Sequence, residues 1–84
     1  MKQVHQYFTT YDLNLSATLH SLGCQIEKIE RKGNKGLFYF RESQDLSNYL
    51  NDYFKEKILI SPQALFNSLK MIKNRLYSNW EDRG

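Results

Sequence analysis

The stretch from Tyr7 to Gly23, YFTTYDLNLSATLHSLG, reads as a strand that runs straight into a capped helix and stops on a glycine. Val4, Tyr7 and Phe8 make residues 4–9 a short β-prone run. Thr9 then takes the N-cap position. Asp12 follows three residues on as a capping-box variant and as an acid at the positive end of the helix dipole. Leu15, Leu19 and Leu22 recur at helical spacing with Thr18 between them, while Leu13 and Ala17 fall on a different face. Two sides of this helix are therefore expected to be covered. Gly23 suits the position just past the helix end, where a left-handed conformation is needed. A strand and helix joined this tightly must share one core.

The rest of the chain supplies partners for that core. Cys24 to Arg31 and Leu37 to Arg41 are extended runs flanking Lys32-Gly33-Asn34-Lys35-Gly36, which predicts a β-hairpin with a basic tip. Leu37 and Tyr39 alternate with Phe38 and Phe40, and both resulting faces are apolar, as in a central strand. Ile26 and Ile29 break strict alternation, which calls for a bulge between them. Ser43 caps a second helix carrying Leu46, Tyr49, Leu50, Tyr53 and Phe54 on one side. Ile58-Leu59-Ile60 reads as a brief strand or buried coil. Ser61-Pro62 then starts a third helix, expected to reach about Ser78. Its core stripe is Leu65, Leu69, Ile72 and Leu76, with Phe66 at the margin.

The predicted order is β-α-β-β-α-(β)-α in a single α+β domain over residues 1–84, with 1–3 and 80–84 frayed. A three- or four-stranded, mainly antiparallel sheet packed by helices is expected. A chain of 84 residues buries only about 60–65 % of its unfolded surface. Six Tyr, five Phe and one Trp offset that limit with large side chains. Cys24 is the single cysteine, so an internal disulfide and a cysteine metal framework are both excluded. No run approaches the roughly 20 apolar residues of a membrane span, and no apolar leader opens the chain. A cytoplasmic protein without a membrane partner is expected.

Several motifs of the chain resemble a family of small domains of unknown function associated with phages and mobile elements. The resemblance rests on Tyr7-Phe8, Thr10, Asp12-Leu13, Leu15, Ala17, Leu19, Leu22 and Gly23. It continues through the aromatic strand Phe38 to Phe40 and the late helix start Ser61-Pro62 with Leu65-Phe66-Asn67-Ser68-Leu69. It covers about Tyr7 to Tyr77. Ser16 departs from the pattern, since the family often has alanine there. The resemblance implies a small autonomous domain and lends no functional residue.

No catalytic arrangement stands out. His20 and Cys24 are close in sequence, yet a histidine in the last helical turn and a small buried thiol account for both. No phosphate loop, metal-ligand spacing or serine elbow is present, so neither an enzyme nor a cofactor is expected. Charge is more informative. The net charge is +3, and Lys28, Arg31, Lys32, Lys35 and Arg41 stand against Glu30 alone across the hairpin. Lys57 to Asn79 holds four basic residues and no acid.

Basic side chains interleaved with aromatics suit phosphate contact and base stacking. Arg31, Lys32, Lys35, Lys70, Lys73 and Arg75 are the candidate phosphate contacts for DNA or RNA, with Tyr39 and Tyr77 as candidate stacking residues. The alternative is a protein-interaction module, acting as a homodimer, an adaptor or a small inhibitor of a host protein through its aromatic surface.

Overall fold

A computed structural model describes residues 6–81, with side chains placed as far as Tyr77. Its elements in chain order are β1 (Tyr7–Thr10), α1 (Leu13–Ser21), β2 (Ile26–Lys32), β3 (Lys35–Arg41), α2 (Gln44–Phe54) and α3 (Pro62–Glu81). The three strands form one antiparallel sheet in the order β1-β3-β2, so the strand with two apolar faces is the central one. The α+β class and the order of the elements are those read from the sequence. The optional strand at Ile58–Ile60 does not form.

The hairpin is tighter than expected, with Lys32 paired to Lys35 across Gly33-Asn34. Gly33 has φ +64°, as the first position of a two-residue turn of this kind requires. The bulge lies at Glu27, between Ile26↔Phe40 and Lys28↔Tyr39. Its effect is to reverse the alternation of β2. Ile26, Ile29 and Arg31 then share the side of Gly36, Phe38 and Phe40, while Lys28, Glu30 and Lys32 join Leu37 and Tyr39 on the other.

One cap differs from expectation. Asp12, not Thr9, is the N-cap of α1, its Oδ1 accepting from the Leu15 N–H at 3.1 Å. Thr9 is engaged in the sheet opposite Tyr39, and pairing of β1 runs on to Thr10↔Phe38. Thr10 Oγ1 accepts from the Asp12 N–H at 3.0 Å, which fixes the bend between strand and helix. The other two starts are as read. Ser43 Oγ accepts from Leu46 N–H, and Ser61 Oγ from Ala64 N–H, each at 3.1 Å.

The core is built on one side of the sheet from Phe38, Phe40, Leu15, Ala17, Leu19, Leu46 and Ile72. Residues Leu15 to Leu19 are buried without interruption, so α1 is enclosed on more than one side, as its two apolar faces imply. This run includes Ser16, which is fully buried and whose Oγ has no hydrogen-bond partner. His20 Nδ1 and Ser68 Oγ, 2.9 Å apart, tie α1 to α3. The helix backbone of α3 continues to Glu81, past the expected end at Ser78, because no glycine or proline interrupts it. Of the segments expected to fray, 1–3 and 80–84, residues 80–81 are instead part of α3, and 1–3 and 82–84 lie outside the described residues.

Two apolar expectations fail at the join of α2 and α3. Phe54, placed by spacing on the buried side of α2, is 70 % exposed, and Leu59 is 93 % exposed. Both lie where the chain has run past the edge of the core.

Candidate nucleic-acid interface

Among the described residues, the helices cover one face of the sheet. Leu76 of α3 rests on the Gly36 side, where its Cδ1 would come within 2.7 Å of an added Cβ. That is the side of Phe38 and Phe40. Strand alternation puts Lys35, Leu37, Tyr39 and Arg41 on the opposite face, with Tyr7 and Thr9 from β1 and Lys28, Glu30 and Lys32 from β2. Among the described residues, no helix covers this second face.

Tyr39 is its centre. Its hydroxyl donates to Glu30 Oε1 at 2.6 Å, and its ring meets Tyr7 edge-on at 6.0 Å. Lys28 Nζ lies 4.8 Å from the ring centroid of Tyr39, and Lys35 Nζ lies 5.8 Å from that of Tyr11. Glu30 also pairs with Lys28 at 3.8 Å and Lys32 at 3.7 Å. The Tyr39 hydroxyl, and then Lys32 and Lys28, hold the Glu30 carboxyl below its ordinary range. The same hydrogen bond pushes the Tyr39 phenol up. Glu30 thus stays ionised and orients one aromatic and two lysines. At the bulge, Arg41 Nη2 reaches Glu27 Oε1 at 3.5 Å.

Such a surface presents aromatic rings with cations set between them. Tyr7 and Tyr11 are 42 % and 51 % exposed, so both rings are open to a planar partner. Lys28, Lys32, Lys35 and Arg41 outnumber Glu30 and the Arg41-paired Glu27 here, and cations spaced across the strands are the kind of group that contacts phosphates.

The structure brings together only part of the sequence-predicted set. Lys32, Lys35 and Tyr39 share the open face. Arg31 lies on the helix side of the hairpin, opposite Gly36, with its Nε donating to the Gly33 carbonyl at 3.3 Å. Lys70, Lys73, Arg75 and Tyr77 are exposed on α3, in the layer that covers the other side of the sheet. The two basic segments therefore do not form one surface. Tyr7, Tyr11, Lys28 and Arg41 are the members that sequence reasoning missed. Alternation along each strand is the signal for Tyr7, Lys28 and Arg41, but it acquires meaning only once the strand order is known, and Tyr11, just past β1, joins them through Lys35.

Elsewhere, burial and then Asp45 push the Cys24 thiol up, away from the thiolate a nucleophile needs. The nearby His20 is bonded to Ser68. Among the described residues, no group of three or more His, Cys, Asp or Glu is placed to hold a metal. No helix among them is long and apolar enough to cross a membrane.

A three-helix, three-stranded domain with one bare sheet face defines the class of this protein as a small α+β module. The profile of a family described as Domain of unknown function (DUF5659) matches residues 5–78, and the chain belongs to that family. No curated protein and no solved structure matches it.

Proposed function

We propose that the protein is a non-catalytic module that binds single-stranded nucleic acid on the helix-free face of its sheet. The observation that carries this reading is the grouping of Tyr7, Tyr11 and Tyr39 with Lys28, Lys32, Lys35 and Arg41 on that one face. Bases stack on Tyr7 and Tyr11, the lysines and Arg41 meet phosphates, and Tyr39 braces Lys28 and Lys32 through Glu30. A single strand fits better than a duplex, because stacking on an open sheet needs bases free of their partners. In this reading the protein is a cytoplasmic accessory protein of a phage or mobile element, the setting that the family resemblance implies.

Anisotropy of a fluorescent oligothymidylate or oligouridylate, titrated with the full chain, tests it. Three to five phosphate contacts give a slope of log K against log salt of about −2 to −3.5. Lys32→Glu with Lys35→Glu is expected to weaken binding at least tenfold while the thermal transition stays cooperative. Lys70→Glu with Lys73→Glu, in the opposite layer, acts only through net charge and is expected to matter far less. Unchanged affinity in the hairpin variant, or binding indifferent to salt, removes the proposal.

A further inference from the structure

A second surface is built differently. The end of α2, the connection after it and the first turns of α3 enclose an open cleft of about 610 Å³. Phe54, Ile58, Ile60 and Leu65 supply its apolar lining. Phe54 is 70 % exposed, and two further exposed side chains adjoin the lining in sequence, Leu59 between Ile58 and Ile60 at 93 % and Phe66 after Leu65 at 62 %. A protein this small has little apolar material to spare, yet three of its large side chains are left in water here.

We propose that this surface is the interface of a homodimer, with a second copy of the chain as its occupant. Three observations favour a copy over a different partner. The first is area. At roughly 150–250 Å² per large side chain, Phe54, Leu59 and Phe66 offer about 400 Å² per copy, or about 800 Å² for two. The half-buried Ile58 and Ile60 bring the total toward the ~1,200 Å² at which stable interfaces begin.

The second is charge. Glu56 lines the cleft, and with Asp52, Lys55 and Lys57 close to it in sequence the local charge sums to zero, while the chain as a whole carries +3. Two copies of a basic protein repel except where they meet on a neutral patch. The third is the backbone. Among the described residues, none of the Ile58, Leu59 and Ile60 backbone groups has a hydrogen-bond partner. The segment reads Ile-Leu-Ile in either direction, so two copies run antiparallel about Leu59 set isoleucine against isoleucine and satisfy each other's donors. Such a dimer carries two open sheet faces, which raises avidity for a long strand without new contacts.

Sedimentation equilibrium of the full chain without nucleic acid, from about 1 µM to about 1 mM, tests the dimer apart from the oligonucleotide reading. An interface at the small end of the range predicts a micromolar dissociation constant and twice the chain mass at the upper concentrations. Leu59→Glu and Phe54→Ser are each expected to return the protein to monomer with its cooperative thermal unfolding retained. A wild-type chain that stays monomeric at about 1 mM overturns the proposal. So does a dimer whose mass Leu59→Glu leaves unchanged, because its interface then lies elsewhere.

Discussion

α1 and α2 end in the same way and lead to opposite outcomes. After α1, the Gly23 N–H donates to the His20 carbonyl and the Cys24 N–H to the Leu19 carbonyl, both at 3.0 Å. After α2, the Glu56 N–H donates to the Tyr53 carbonyl at 3.0 Å and the Lys57 N–H to the Asp52 carbonyl at 2.8 Å. Both are Schellman closures, and both need a left-handed residue just past the helix. The first has glycine there, at φ +106°. The second has glutamate, at φ +59°.

From Gly23 the chain turns back into the sheet. From Glu56 it passes into Ile58-Leu59-Ile60, where Leu59 stands in solvent and no strand forms. One end of the molecule is thus finished for stability. The other keeps backbone strain beside exposed apolar surface, a combination that marks sites where something other than stability is served.

The largest expected effect sets two leucines against each other. Leu19 is fully buried and Leu59 is 93 % exposed. Leu19→Ala removes a side chain from the centre of the core and is expected to cost about 3–5 kcal/mol, enough to unfold a domain this small. Leu59→Ala is expected to change the stability of the monomer by less than about 0.5 kcal/mol. Urea denaturation of both variants at low concentration checks the contrast. A Leu59→Ala loss approaching that of Leu19→Ala would mean that the α2–α3 connection belongs to the core after all.

A smaller pair of effects comes from the two closures themselves. A Cβ at Gly23 meets nothing within 4 Å, so Gly23→Ala isolates the backbone term and is expected to cost about 1–2 kcal/mol. Glu56→Gly relieves the corresponding strain. Part of that gain is lost to the greater freedom of glycine in the unfolded chain, so a stabilisation of between zero and about 1 kcal/mol is expected. Denaturation midpoints give both values. If Glu56→Gly destabilises the fold, its side chain supports the connection and the two helix ends are closer in kind than their sequences suggest.

Which parts were legible in the sequence follows from how local their causes are. Ser43, Ser61-Pro62 and Gly23 act within one helical turn, and their roles are readable from neighbours alone. The central place of β3 is readable because Leu37 to Phe40 show two apolar faces. Asp12 replaces Thr9 as the cap for a reason no local rule contains, since Thr9 is held by Tyr39, thirty residues away. The same applies to the interface. Lys32, Lys35 and Tyr39 are visible as a basic, aromatic hairpin, but Tyr7 joins them only through the register of β1 on β3. Arg31 leaves the group because a single extra residue at Glu27 inverts the alternation of β2. Phe54 fits its helical stripe and is exposed anyway, because periodicity gives the direction of a side chain and not the extent of the core it meets.

A single buried hydroxyl bears on whether the well-finished region is also the optimised one. Ser16 lies in the middle of the unbroken buried run of α1, and its Oγ has neither a hydrogen-bond partner nor access to water. Thr18, two residues on, avoids the same problem by donating to the Asn14 carbonyl at 2.9 Å. An unsatisfied buried hydroxyl is costly, and alanine is also the better helix former, so Ser16→Ala is expected to stabilise the fold by about 1 kcal/mol. The family resemblance points the same way, since alanine is common at this position. Urea denaturation of Ser16→Ala, alone and combined with Glu56→Gly, measures both corrections together. The two sites share no partner, so additive gains are expected. A loss on Ser16→Ala would mean that the hydroxyl is satisfied in solution, by a buried water or a rotated χ1, and that α1 carries no flaw to match the strain at Glu56.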